Sequence, residues 1–299
     1  MLAVAVRAQD EVPVFHTGTK EVTLHVSVLD KSGKLVTNIP RTAFKVYEDN
    51  VEQPLKLFRR EDVPVSMGIL VDNSGSMNDK RSRVAAAALA LVKASNPDDE
   101  VFIVNFNEDP YLDQAFTHDT KKLEEALARL DARGGTAMRN AISGAIDYMK
   151  TDAKLDKKVI VVVTDGNDNS SAETSLEQLL RKVRESGVLV YSIGLLSEEE
   201  AREARAAKRA LNALAETSAG ASYYPKDLTE VEKLTPEIAR EIRNQYTIAY
   251  SPLNENLDGS FRKIRIELNA AYRGATVRAK NGYYATPDKP KPTASLSKP

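Results

Sequence analysis

Met67-Gly68-Ile69-Leu70-Val71-Asp72-Asn73-Ser74-Gly75-Ser76-Met77 is the stretch from which the fold is read. Its apolar run, 67–71, stops abruptly in an acid, two hydroxyls and a glycine. A helical pattern follows, with Val84, Ala88, Leu91 and Val92 on one face. This order predicts a buried parallel strand feeding a polar loop and then a helix. In open α/β sheets ligands bind outside the carboxyl ends of the strands. Asp72, Ser74 and Ser76 therefore stand where a site would be built.

Two later stretches follow the same grammar. Val159-Ile160-Val161-Val162-Val163 is a β-branched run that ends in Thr164-Asp165-Gly166 and puts a second carboxylate at a strand terminus. Gly134-Gly135-Thr136 precedes a helix with Met138, Ile142, Ala145, Ile146 and Met149 on one face. Three loops can thus bring together Asp72, Ser74, Ser76, Thr136 and Asp165. All five are hard oxygen donors, with no His or Cys among them. That set suits Mg²⁺, with Mn²⁺ or Ca²⁺ as alternatives, rather than zinc.

These five residues, in this order, resemble the metal-ion-dependent adhesion site of von Willebrand factor type A domains, as in integrin I domains. The resemblance spans the strand–helix alternation from about residue 65 to 244. It implies a doubly wound, mostly parallel six-stranded sheet, with Tyr111 to Thr117 as an antiparallel edge strand. It also implies an electrophilic cation with one open position, filled by the carboxylate of an Asp or Glu on a protein partner. Met77, Asn78, Asn107, Glu108, Arg139, Asn167 and Asp168 are expected to rim that position, with Arg139 placed to pair with the partner's acid. The N-termini of the helices after Ser76 and Thr136 are expected to favour the incoming anion.

On either side of this unit the period changes to that of strands. Val22, Leu24, Val26 and Val28 alternate with polar residues; Leu35-Val36, Phe44 to Glu48 and Leu55 to Phe58 follow. After the unit come Tyr246 to Tyr250, Phe261 to Leu268 and Ala275 to Ala279, with Tyr283-Tyr284 ending the last strand. About seven short strands are enough for a small sandwich-like β domain. The expected organisation is an N-terminal extension or signal remnant (1–18), a β domain begun at 19–62, an inserted α/β domain (63–245), the β domain completed at 246–285, and a disordered tail (286–299). Val26-x-Val28-x-Asp30-x-x-Gly33, Phe44-x-Val46-Tyr47-Glu48-Asp49 and Gly282-Tyr283-Tyr284 resemble bacterial VWFA-related proteins of the acidobacterial type. Asn254 to Gly259 is expected to be a hairpin turn. Three helix caps are expected, at Ser175-x-x-Gln178, Ser197-x-x-Glu200 and Thr229-x-x-Glu232, and Pro236 is expected to kink or restart the last helix.

Composition narrows the functional classes. A net charge of −1 over 299 residues gives no field to recruit nucleic acid. No stretch approaches the ~20 apolar residues of a membrane span. The absence of Cys removes disulfide and thiol chemistry. Leu2 to Gln9, with Val6-x-Ala8, reads as the tail of a secretory signal and points to export. No Gly-x-Ser-x-Gly elbow or phosphate-binding loop is present. Asp165-x-Asn167-x-Asn169 fails as a calcium loop because Ser170 stands where Gly is required. Beside these exclusions, the resemblance implies a non-enzymatic, metal-dependent adhesion module. The alternatives are a scaffold with a structural or vestigial metal site and, more remotely, a metal-dependent hydrolase.

Overall fold

The computed structural model describes residues 21–287 apart from 61, 95, 129–132, 166–167 and 197–200. The extension 1–18, most of the tail, Asn167 and the Ser197–Glu200 cap lie outside the described residues.

Strands β1 (Val22–Leu29), β2 (Phe44–Glu48), β3 (Val51–Gln53) and β4 (Leu55–Arg60) come first. The α/β unit then runs β5 (Val65–Asp72), α1 (Arg81–Ala94), β6 (Glu100–Phe106), β7 (Pro110–Thr117), α2 (Thr120–Ala128), α3 (Met138–Asp152), β8 (Lys157–Thr164), α4 (Leu176–Ser186), β9 (Leu189–Gly194), α5 (Ala201–Ser218), β10 (Ser222–Tyr223) and α6 (Leu228–Arg243). Four strands close the described chain: β11 (Tyr246–Tyr250), β12 (Phe261–Leu268), β13 (Thr276–Arg278) and β14 (Gly282–Tyr284).

The α/β unit is a six-stranded sheet in the order β10-β9-β8-β5-β6-β7, parallel except for β7 at its edge. Every residue of β5 is buried. This follows from helices on both faces. Met67, Ile69 and Val71 pack with Val84, Ala88 and Leu91 of α1, Leu123 of α2 and Ile238 and Ile242 of α6. Leu70 faces the other way, in a cluster with Ile142 and Ile146 of α3, Leu179 of α4 and Leu214 of α5. β5 lies between β6 and β8, so Asp72 leaves the middle of the sheet beside the end of β8, from which Asp165 follows.

The outer strands form two four-stranded sheets, β13-β1-β11-β4 and β14-β12-β2-β3, around a shared core of Leu24, Val26, Phe44, Val46, Ile248 and Ile264. Strands from before and after the α/β unit are neighbours in both sheets. β4 and β11 pair directly, with Arg60 opposite Tyr246, so the chain enters and leaves the α/β unit at adjacent points. Glu48, buried in this core, accepts hydrogen bonds from the hydroxyls of Tyr250 (2.8 Å) and Tyr283 (3.0 Å).

Several local expectations change. Leu35 makes only an isolated bridge to Leu29, while Val51–Gln53 forms a strand that the sequence pattern did not reveal. Asp49 and Asn50 both have positive φ (47° and 68°) and turn β2 into β3 in two residues, as a tight hairpin requires. Tyr283-Tyr284 belongs to a separate strand, β14, rather than the end of β13. The turn 254–259 is not a hairpin, because β11 and β12 lie in different sheets. Ser175 and Gln178 form the expected capping box. α6 instead is capped two residues before the Thr229 signal, where Asp227 accepts from the Glu230 N–H at 2.9 Å. It runs through Pro236 as one helix, with the Thr235 hydroxyl donating to the Val231 carbonyl at 2.6 Å.

Where the two units meet, burial, reinforced by the charges of Lys157 and Lys280, pushes the imidazole of His25 down to about 3. Its ordinary value is near 6.5, so between these limits the unfolded chain binds a proton that the folded chain refuses. Stability must therefore rise as pH climbs from 3 to 6.5 and fall on acidification. Chemical denaturation at pH 7.0 and 4.5 is expected to show about 1–2 kcal/mol more acid loss in the wild type than in His25→Gln, a figure discounted for partial solvent access to the ring. Equal losses would contradict the assignment.

Candidate metal centre

The loop after β5 is set by its own side chains. The Ser74 N–H donates to Asp72 Oδ1 at 3.0 Å and turns the backbone immediately after the strand. This places Ser74 Oγ 3.1 Å from Ser76 Oγ. The second oxygen of Asp72 accepts from the Thr164 hydroxyl at 2.5 Å, across the gap between β5 and β8. Asp72 and Ser74 are buried, whereas Ser76 is exposed, so the pair of hydroxyls lies between interior and solvent.

The second loop is laced to the first through its backbone. Gly75 N donates to Gly134 O at 3.0 Å and Arg133 N to Asn73 O at 2.9 Å. Gly134 has φ of 72°, which glycine adopts without strain. Thr136 is buried. Its N–H donates to Asn169 Oδ1 (2.9 Å), and its carbonyl accepts from the N–H groups of Asn169 and Ser170 (3.1 and 3.0 Å). The segment after Asp165 thus holds Thr136 by three hydrogen bonds.

Asp165 closes the group. Its Oδ2 lies 3.1 Å from Lys80 Nζ, at the end of the short 3₁₀ helix Gly75–Lys80. Its Oδ1 is buried with no hydrogen-bond partner among the described residues. Burial pushes the Asp72 carboxyl up to about 6; Asp165's charge adds to the rise, while the hydrogen bonds from Ser74 and Thr164 oppose it. Two acids within electrostatic reach, one displaced upward and one with a bare buried oxygen, are a donor set short of positive charge. The residues present therefore fit a hard divalent cation in their chemistry. Among the described residues no group of three or more His, Cys, Asp or Glu side chains could hold a metal. The expected set has only two carboxylates and completes itself with hydroxyls.

The rim differs from expectation. Met77 is buried in the core beside α1 rather than exposed at a rim. This is what its unbranched apolar side chain favours. Arg139 is held by its own chain: its guanidinium lies 3.2 Å from Asp168 Oδ1 and donates to Ser171 O at 3.1 Å. It therefore does not wait for a partner's carboxylate, and Asp168 is spent on it. Two of the first N–H groups of α3 are also taken by its own chain, Arg139 N by Asp168 Oδ2 (2.7 Å) and Asn140 N by Ser171 Oγ (3.2 Å). Asn78 and Glu108 are exposed and Asn107 is half-buried. Glu108 Oε1 receives the Gly135 N–H at 3.3 Å.

Sequence reasoning did not single out Thr164, Asn169 or Lys80 as partners of the site. Thr164 adjoins Asp165 in the strand-ending triplet and could have been found there. Asn169 enters the sequence reading only through the rejected calcium-loop pattern, and Lys80 carries no periodic or motif signal.

A Cβ at Gly135 would lie 2.2 Å from Ser170 Oγ and 2.8 Å from Asn169 Oδ1. The serine can rotate away, but Asn169 must shift, and with it the support of Thr136. Gly135→Ala is expected to lose about 1–2 kcal/mol by crowding and to reduce any rise in melting temperature that Mg²⁺ gives. Thermal melts with and without Mg²⁺ check both effects.

Residues 67–167 match the sequence profile of the von Willebrand factor type A domain. The calcium-activated chloride channel regulator 1 of Equus caballus is 27% identical over 135 residues, which is 42% of this chain and 14% of that protein. The chain thus matches only a small part of that relative's length. The BatB protein of Bacteroides thetaiotaomicron superposes with a TM-score of 0.50 at 18% identity, covering 60% of this chain and 98% of BatB. The vWF domain of the type V pili tip protein Mfa5 of Porphyromonas gingivalis gives a TM-score of 0.50 at 14% identity, covering 60% of this chain and 95% of that domain. No helix among the described residues is long and apolar enough to cross a membrane. The profile match, the six-stranded sheet and the shared fold together identify the α/β unit of this chain as a von Willebrand factor type A domain.

Proposed function

We propose that this chain is a non-enzymatic, divalent-cation-dependent protein-binding module that captures an Asp or Glu side chain of a partner. One observation carries this reading: the Ser74 and Ser76 hydroxyls meet at 3.1 Å beside a second acid, Asp165, that keeps a buried oxygen without a partner among the described residues. Asp72, Ser74, Ser76, Thr136 and Asp165 would hold the ion. Mg²⁺ is the first choice, with Mn²⁺ or Ca²⁺ compatible with the same oxygens. The bound ion supplies a concentrated positive charge that neutral hydroxyls leave largely unspent. The protein's own residues fix the donors: Thr164 and the Ser74 N–H orient Asp72, and Asn169 orients Thr136. The Leu2–Gln9 segment supports a place outside the cytoplasm, in keeping with the pilus tip protein that shares the fold.

The Lys80–Asp165 pair favours the alternative, a scaffold whose cation site is vestigial. The two readings separate when the immobilised full chain is offered envelope extract in Mg²⁺ and in chelator. Capture confined to Mg²⁺ is the expected result, and equal capture in both overturns it. No hydrolysis of an ester and phosphodiester panel is expected. Turnover that disappears in Asp165→Ala would favour a hydrolase instead.

A further inference from the structure

Lys80 is the cation that the chain itself brings to Asp165. It stands four residues beyond Ser76, at the end of the 3₁₀ helix that starts at Gly75. Its ammonium lies 3.1 Å from Asp165 Oδ2, and the two side chains are only 14% and 7% exposed. No other hydrogen-bond donor reaches this carboxylate among the described residues, and its other oxygen is bare. A carboxylate offers about four acceptor positions, so one ammonium leaves it underserved. Removing that ammonium without replacement would leave a buried charge unpaired, which is strongly destabilising. A lysine stem is also flexible, and its ammonium can swing to solvent when a stronger cation arrives.

We propose that Lys80 is a tethered counter-ion of the cation site. It neutralises Asp165 when no divalent ion is bound and must yield that carboxylate for one to bind, so it weakens the site's affinity for divalent cations. This inference rests on the cation reading above. Charge alone gives its direction, because a tethered positive group a few ångströms from a carboxylate repels a second cation and competes for the same anion.

Mn²⁺ is the probe, titrated into the full chain and followed by loss of the free-ion EPR signal. Lys80→Met is expected to bind Mn²⁺ about tenfold more tightly than the wild type, or about 1.4 kcal/mol. Lys80→Arg, which keeps the charge, is expected to bind no more tightly than the wild type. Asp165→Asn in either background should abolish the site. In chelator Lys80→Met should melt below the wild type, and its gain on adding Mn²⁺ should be larger. A lower melting temperature with unchanged Mn²⁺ affinity would make Lys80 merely structural and overturn the inference. If wild type, Lys80→Met and Lys80→Arg all fail to bind Mn²⁺ while folded by circular dichroism, the cation reading itself falls, and this inference with it.

Discussion

Asp72→Asn is expected to abolish Mg²⁺-dependent partner capture while leaving the metal-free fold at least as stable as the wild type. The asparagine carbonyl can still accept from the Ser74 N–H, and its amide can donate to Thr164 Oγ1, so both contacts made by Asp72 persist. The charge disappears, and burial already holds that charge unfavourable, with the carboxyl pushed up to about 6. Replacing a disfavoured buried carboxylate by a neutral isostere stabilises or is neutral. The same change removes one of only two anionic donors from the proposed site. Capture should fall roughly 100-fold or more, about 2.8 kcal/mol at 1.4 kcal/mol per decade. The stabilisation by mass action that the cation reading predicts for the wild type in saturating Mg²⁺ should be absent from the variant. A stability gain coupled to loss of binding separates a binding residue from a structural one. If Asp72→Asn instead lowers the metal-free melting temperature and still responds to Mg²⁺, Asp72 belongs to the framework of the loop.

Gly68→Val is expected to produce the largest loss of stability. Gly68 sits on the strand that delivers Asp72, opposite Phe102 of β6. A Cβ there would lie 2.4 Å from Phe102 Cζ and 2.6 Å from its Cε1. The ring has little freedom to retreat, because Phe116 and Tyr148 pack around it with centroids 4.8 and 5.0 Å away. Crowding of this kind costs about 3 kcal/mol, and it acts four residues before Asp72. Urea denaturation should show the loss with an unchanged slope, as expected when stability changes but the denatured state does not. Phe102→Ala should partly rescue Gly68→Val, since the two changes share one space. Additive losses would contradict this packing.

The sheet was legible because burial on both faces leaves uninterrupted apolar runs. Met67 to Val71 and Val159 to Val163 announce themselves as central strands, and the acids that end them are placed by the same signal. Position 68 was not legible as special: a glycine inside such a run shows only in three dimensions that a ring from the next strand lies over it. Val51–Gln53 was hidden because three residues, two of them exposed, carry no period. The connection 254–259 looked like a hairpin because local turn chemistry does not say which sheet the next strand joins. Asp258 does accept from the Ser260 N–H and hydroxyl, as turn residues do. At the site, strand and helix ends pointed to five oxygen-bearing side chains, and the loops that carry them are tied together by hydrogen bonds. Their rim could not, because whether Arg139 faces solvent or its own Asp168 depends on a segment about thirty residues away. Lys80 was hidden for the same reason, since its partner is eighty-five residues distant.

On the cation reading, Asp72, Ser74, Ser76, Thr136 and Asp165 together hold one divalent ion. Crystals of the full chain soaked in Mn²⁺ and measured at the manganese absorption edge test it most directly. One anomalous peak in contact with the hydroxyls of Ser74, Ser76 and Thr136, with the Lys80 ammonium withdrawn from Asp165, is the predicted result. A map without a peak there, with Lys80 still bound to Asp165 at saturating Mn²⁺, would contradict it.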